Sequence, residues 1–194
     1  MEKFKNKYTI KSSRLQGYDY SQNGIYFVTI CTKGREHFFG EIENEIMNLS
    51  DIGKIVQEEW LKTPIIRPNV VLDEWIIMPN HLHLIIEIRN QLCDATTRRD
   101  ATTRRDALQC VSTGNEEYKN KFGSQTNNLS SIIRGFKGIV TKRVHMCGLY
   151  FHWQSRFYDH IIRNDESLNK IREYVITNPK MWERDRNNLE NVFM

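Results

Sequence analysis

The run Met78-Pro79-Asn80-His81-Leu82-His83-Leu84-Ile85-Ile86-Glu87-Ile88 sets two imidazoles in an otherwise apolar stretch. Such a stretch, opened by a Pro-Asn turn, is expected to be a β-strand, and alternate residues of a strand share a face. Leu82, Leu84, Ile86 and Ile88 then point one way, and His81, His83, Ile85 and Glu87 point the other. At the strand rise the two histidine Cα atoms are about 6.6–7 Å apart, and two ring nitrogens can meet at one divalent ion from there. An isolated His-x-His is more often a pair of half-exposed sheet histidines. Two ligands alone do not make a tight site, so further ligands must come from elsewhere in the chain.

A later segment, Glu173-Tyr174-Val175-Ile176-Thr177-Asn178, supplies candidates. Tyr174 and Asn178 are four apart and share one face of a helix, beside the apolar stripe of Ile171 and Val175. Tyr174 therefore sits at the edge of that stripe with its hydroxyl free to project. The plainer alternative is an amphipathic tyrosine covering the rim of the core.

The elements that must position these groups are legible from pattern. Gly24 to Thr32, rich in β-branched and aromatic residues, reads as a central strand, and Phe38 to Leu49 as a short hairpin. Ser50 offers an N-cap to a helix with Ile52, Ile55, Val56 and Trp60 on one face, and Pro64 and Pro68 are expected to end that region. Val70 to Met78 and His81 to Ile88 are strands; Leu129, Ile132, Ile133, Phe136 and Val140 fall at helical spacing. Phe157 to Ile162 is a further short strand. Asn164 or Asp165 caps a last helix, which Pro179 closes. The order is β-α-β-β-α-β with an extra C-terminal helix. It predicts an α+β, ferredoxin-like split βαβ fold: an antiparallel sheet with helices on one face, plus a C-terminal helix, the one that carries Tyr174.

Residues 1–23 are expected to form an N-terminal segment, 24–180 a single domain and 181–194 a tail. Residues 95–100 and 101–106 repeat Ala-Thr-Thr-Arg-Arg-Asp without change. The surrounding stretch, about 90–127, has few large apolar residues and reads as a flexible insertion. Its perfect repeat is most simply a duplication tolerated in a solvent loop.

These stretches also carry a resemblance. Gly24 to Thr32, His-Leu-His after Met-Pro-Asn, and Tyr174-x-x-x-Asn178-Pro179 resemble the REP-associated tyrosine transposases, which belong to the HUH single-strand DNA transposases. So do Ser13-Arg14-Leu15-Gln16-Gly17-Tyr18-Asp19-Tyr20 and Trp153-Gln154-Ser155-Arg156-Phe157-Tyr158-Asp159-His160-Ile161-Ile162-Arg163, all in the family's order. The resemblance covers almost the whole chain outside the insertion. It implies metal-dependent cleavage and rejoining of single-stranded DNA at hairpin-associated sites, through a 5′-phosphotyrosine. It makes Tyr174 the nucleophile, with His81 and His83 as metal ligands and Asn178 at the third ligand position. A neutral Asn oxygen suits Mg²⁺ or Mn²⁺ better than zinc. The partner implied is single-stranded or hairpin DNA, and homodimers occur among relatives.

Lys137, Lys142 and Arg143, on the second core helix, are candidates for tracking phosphates. Arg14, Tyr18 and Tyr20 form a basic-aromatic segment suited to stacking, Arg156 lies near the expected site, and Trp153 is expected in the core. Lys and Arg exceed Asp and Glu by 28 to 24, a net charge of +4 that permits a polyanionic partner without requiring one. Cys31, Cys93, Cys110 and Cys147 form no CxxC pair, which argues for free thiols rather than structural zinc. With no apolar run long enough to span a membrane and no signal-like start, a bacterial cytoplasmic protein is expected. Two other readings remain at this stage. One is a non-catalytic binder of single-stranded nucleic acid, with Tyr26 and Phe27 as a stacking platform. The other is a metal-dependent phosphodiesterase that activates water.

Overall fold

A computed structural model describes residue 15 and residues 18–90, 127–185 and 187–188. Arg14, Cys93, Cys110, the hexamer repeat and nearly all of the expected insertion lie outside the described residues, as do residues 189–194 of the expected tail. Among the described residues six strands and four α-helices follow in the order β1 (Gly24–Cys31), β2 (Gly40–Glu43), β3 (Ile46–Leu49), α1 (Asp51–Leu61), α2 (Thr63–Ile66), β4 (Val70–Met78), β5 (His81–Ile88), α3 (Leu129–Met146), β6 (Tyr158–Ile162) and α4 (Asp165–Thr177). Short 3₁₀ turns occupy Lys33–Arg35 and Asn178–Arg184.

The main sheet has strand order β4-β5-β1-β6, every neighbour antiparallel. This is the expected split βαβ arrangement. β2 and β3 form a separate hairpin. Capping follows the expected chemistry: Ser50 Oγ accepts from Gly53 N–H, and Asn164 Oδ1 accepts from Ser167 N–H, each satisfying a donor that a first helical turn leaves without an intrahelical partner. One proline expectation needs correction. Pro64 sits in the first turn of the short α2 instead of terminating the helical region, because a helix start loses nothing by lacking an N–H there. Pro179 follows the end of α4 as expected, yet the chain goes on through the 3₁₀ turn, so residues 181–184 are not a bare tail.

Strand alternation divides the molecule into two layers of packing. Tyr26, Val28 and Ile30 of β1 and Leu82, Leu84, Ile86 and Ile88 of β5 face α1 and α3, together with Ile55, Val56, Trp60, Ile133, Phe136 and Val140. On the other face Ile25, Phe27, Ile76, Ile85 and Ile162 meet Leu168, Ile171 and Val175 of α4. The larger cluster holds the fold together, and the smaller one docks a single helix. Arg172 adds a two-pronged ion pair from α4 to the edge strand, with Nε 2.8 Å from Asp73 Oδ1 and Nη2 2.5 Å from Oδ2. Ile85 is fully buried beneath α4. Ile85→Ala should therefore lower stability by about 2–4 kcal/mol in denaturant unfolding. Hydrogen exchange should show the amides of α4 losing protection more than those of α3.

Candidate active site

β5 is a central strand, and its second face carries His81, His83 and Ile85 beneath α4. The pairing register places Thr29 opposite His83 and Cys31 opposite His81. Both imidazoles are buried, at 0% and 1% exposure, so each needs partners for its polar atoms. Thr29 Oγ1 lies 2.9 Å from Nδ1 of His83, and Asn80 Oδ1 lies 2.8 Å from Nδ1 of His81. The Asn80 amide is itself oriented, because its Nδ2 donates to the carbonyls of Arg35 and Asn187. Its Oδ1 is thus left to accept from His81 Nδ1–H, which in the neutral ring leaves Nε2 bare.

With their Nδ1 atoms held, the two rings turn their Nε2 atoms toward each other at 3.0 Å. The hydroxyl of Tyr174 stands 3.2 Å from Nε2 of His83. Phe27 fixes the neighbourhood: its ring stacks on His83 at 5.3 Å and meets the Tyr174 ring edge-on at 6.1 Å. Tyr174 keeps 45% of its surface exposed. The α4 helix that carries it rests on Ile85 and Val175 and is tied down two residues earlier by Arg172.

A third polar group reaches the pair from a place the sequence did not advertise. Asp185, at the end of the 3₁₀ turn, brings Oδ2 to 3.8 Å from His81 Nε2. One ligand atom from each of His81, His83 and Asp185 falls within 4.8 Å of the others. Asn178, the expected third ligand, is buried at 2% exposure, and its Oδ1 has no hydrogen-bond partner among the described residues. The donor set fits a divalent cation on three counts. The two Nε2 atoms, 3.0 Å apart, converge on one point between the rings, where either a shared proton or a cation can sit. That spacing is also about what cis ligands at roughly 2.1 Å from an octahedral ion require. The Asp185 carboxylate adds a hard donor.

The remaining expected residues are distributed unevenly. Tyr20 is 9% exposed and stacks on Tyr26 at 5.9 Å, while Tyr18 packs against the same core cluster with its hydroxyl 3.4 Å from that of Tyr26. Burial and the neighbouring phenols push the Tyr26 hydroxyl far above the usual tyrosine range. These three rings belong to the α1–α3 side of the sheet. Lys137, Lys142 and Arg143 lie on α3, the layer away from the histidines. Lys142 is exposed, whereas Arg143 is committed to Glu58 and Glu59, at 2.8 and 2.6 Å. Lys137 donates to the Gln154 carbonyl, and burial pulls its ammonium down from the ordinary lysine value. Arg156 is exposed two residues before Tyr158, which pairs with Thr29. Trp153 packs against the core as expected, its Nε1 donating to the Lys137 carbonyl.

Sequence reasoning missed Thr29, Asn80 and Asp185. Thr29 becomes visible only through the β1–β5 register. Asn80 had been read as a turn former, although its place next to His81 was a usable signal. Nothing local separates Asp185 from the other acids near the C-terminus.

Comparison with known proteins follows the same lines. No protein-family model matches the chain. An uncharacterized protein of Haemophilus influenzae is 40% identical over 177 residues, covering 91% of each chain. The chain belongs to that protein's family. A solved REP-associated tyrosine transposase bound to a REP hairpin superposes with a TM-score of 0.51 at 20% identity, covering 94% of this chain and 74% of the other. The fold is therefore that of a REP-associated tyrosine transposase, the family the sequence motifs resemble. Among the described residues no helix is long and apolar enough to cross a membrane.

The Asp73–Arg172 pair gives the site a pH signature. Arg172 holds the Asp73 carboxyl below the usual carboxylate value. A depressed carboxylate contributes stability above its unfolded pKa of about 3.9 and loses it as pH falls through the lower folded value. Protection of α4 amides should accordingly fall as pH drops below about 4. Asp73→Asn should flatten that dependence while lowering α4 protection at neutral pH.

Proposed function

We propose that this protein cuts and rejoins single-stranded DNA through a covalent phosphotyrosine formed at Tyr174. The observation that carries this reading is the Tyr174 hydroxyl 3.2 Å from a buried histidine pair whose Nε2 atoms converge at 3.0 Å. His81 and His83, with Asp185 or Asn178 as a further oxygen donor, would hold a divalent ion, which would supply positive charge to offset that of the scissile phosphodiester. Mg²⁺ or Mn²⁺ matches the oxygen donors.

Within this scheme the chain's own residues do the rest. Tyr174 Oη attacks phosphorus in line and loses its phenolic proton to solvent; the P–Oη bond forms as the bond to the 3′ oxygen breaks. The departing oxygen takes up a proton and leaves as a free 3′-hydroxyl, with the 5′-phosphate esterified to Tyr174. A free tyrosine, with a pKa of about 10, is a poor nucleophile at neutral pH, so its placement beside the cation site is essential. The ester conserves the bond's energy, and attack by a second 3′-hydroxyl rejoins strands without a nucleotide cofactor. Thr29 and Asn80 keep the two Nε2 atoms turned toward each other, and Phe27 keeps the tyrosine ring beside them. Of the alternatives, the stacking-platform reading is weakened by Tyr26, which is fully buried on the helix side of the sheet. A water-activating phosphodiesterase would leave the tyrosine beside the histidines without a task. DNA is the partner in this reading: the hairpin in the solved transposase complex is that protein's ligand, and Arg14, Lys142 and Arg156 are candidate phosphate contacts here. A cytoplasmic location and homodimer formation accompany it.

Two experiments test the proposal. With Mn²⁺ and labelled single-stranded DNA bearing a hairpin, the wild-type protein should form a denaturant-stable adduct. Tyr174→Phe should lower adduct formation by at least about 10³-fold with cation binding retained; an unchanged yield in that variant would make the nucleophile assignment wrong. His83→Ala and Asp185→Ala should each weaken Mn²⁺ binding by about 10–100-fold in calorimetry. Because α4 docks on its own chain's sheet through Arg172 and Asp73, Tyr174 should serve the histidines of the same chain. Mixing Tyr174→Phe with His81→Ala protein should then restore no activity.

A further inference from the structure

Nε2 of His83 has two polar neighbours at bonding distance and the capacity to satisfy one. It lies 3.0 Å from Nε2 of His81 and 3.2 Å from the Tyr174 hydroxyl. A ring nitrogen offers one lone pair or one N–H, in the plane of the ring, and so makes one good hydrogen bond. A proton shared between the two imidazoles leaves the phenol oxygen over. A phenolic proton given to His83 leaves Nε2 of His81 facing a nitrogen that is already taken. Both rings are buried, and their Nδ1 atoms are engaged by Asn80 and Thr29, so Nε2 is what each ring presents to the phenol.

A cation in the common space satisfies all three atoms at once. Cis ligands roughly 2.1 Å from an octahedral ion stand about 3.0 Å apart. The two separations from His83 Nε2, 3.0 and 3.2 Å, are of that size. The Asp185 carboxylate, with Oδ2 3.8 Å from His81 Nε2, borders the same space. Charge favours the same set of donors. Two neutral imidazoles, one carboxylate and one phenolate sum with a divalent ion to zero, and burial penalises a neutral cluster least. The fold delivers the phenol to this place: Phe27 meets its ring edge-on while stacking on His83, and Arg172 ties α4 to Asp73 two residues earlier.

We propose that Tyr174 Oη is itself a ligand of the ion that His81, His83 and Asp185 would hold, already in place before DNA arrives. This rests on the reading of the histidines as a cation site. The phenolic proton passes to solvent as Oη takes up its position. The nucleophile is then supplied as phenolate without a general base, which suits a site whose two histidines are both committed as ligands.

Iron is the probe, because two histidines and a carboxylate are a donor set that takes Fe²⁺, and a tyrosinate on Fe³⁺ absorbs visible light by charge transfer. The full-length protein, loaded with Fe²⁺ without oxygen and then oxidised in air, should develop that band. Tyr174→Phe should lose the band while retaining iron through the other three donors, measured by atomic absorption. Tyr158→Phe should keep it, since this exposed tyrosine shares the sheet face but stands opposite Thr29 on the edge strand. Bound iron without the band in the wild-type protein overturns the proposal, as does a band that survives Tyr174→Phe or a wild-type protein that takes up no iron. The two readings fail separately. A covalent DNA adduct at Tyr174 in a protein that shows no band keeps the cleavage reading and sinks the coordination. A Tyr174-dependent band in a protein that forms no adduct does the reverse.

Discussion

Two buried imidazole nitrogens facing each other at 3.0 Å are the constraint around which this structure is arranged. Burial denies the two rings bulk water, so their polar atoms depend on protein partners. The surrounding residues hold them in place: Thr29 anchors one ring, Asn80 the other, and Asn80 is oriented by two main-chain carbonyls. Such an arrangement leaves two ring nitrogens aimed at one point that a cation can occupy. A carboxylate from Asp185 reaches the same place.

The antiparallel sheet divides the labour that this constraint demands. One face of β1 and β5 is committed to α1 and α3, which supply most of the hydrophobic burial. The other face can then carry polar residues without costing the fold its main core. α4 is held on that face by a small apolar cluster and one ion pair. A lightly docked helix suits a residue that must approach a bulky phosphodiester, and Tyr174 keeps nearly half its surface open.

Positive charge is separated in the same way. Arg143 is spent on Glu58 and Glu59, tying α3 to α1 on the structural side of the sheet. Lys33 and Arg156 are instead exposed, in the turn after β1 and in the segment before β6. A basic residue on an amphipathic helix and a basic residue in a turn look alike in composition; only the folded neighbours show which is committed to an ion pair.

Much of this was legible in the residues alone. Period-two alternation placed His81 and His83 on one face of a strand, the caps Ser50 and Asn164 located two helix starts, and the element order specified the split βαβ sheet, because these are short-range properties of the chain. Helical spacing likewise put Tyr174 beside the buried stripe of Ile171 and Val175. The sequence could not say that β1 pairs with β5 so that Thr29 meets His83, or that Tyr20 turns into the core. It could not show that Arg143 is already paired, or that a 3₁₀ turn after Pro179 swings Asp185 back to His81. Each of these depends on which distant segments share a surface, and residue type does not encode that choice locally. The histidine pair was a property of the sequence; what surrounds it, and therefore what it can bind, was decided by the tertiary structure.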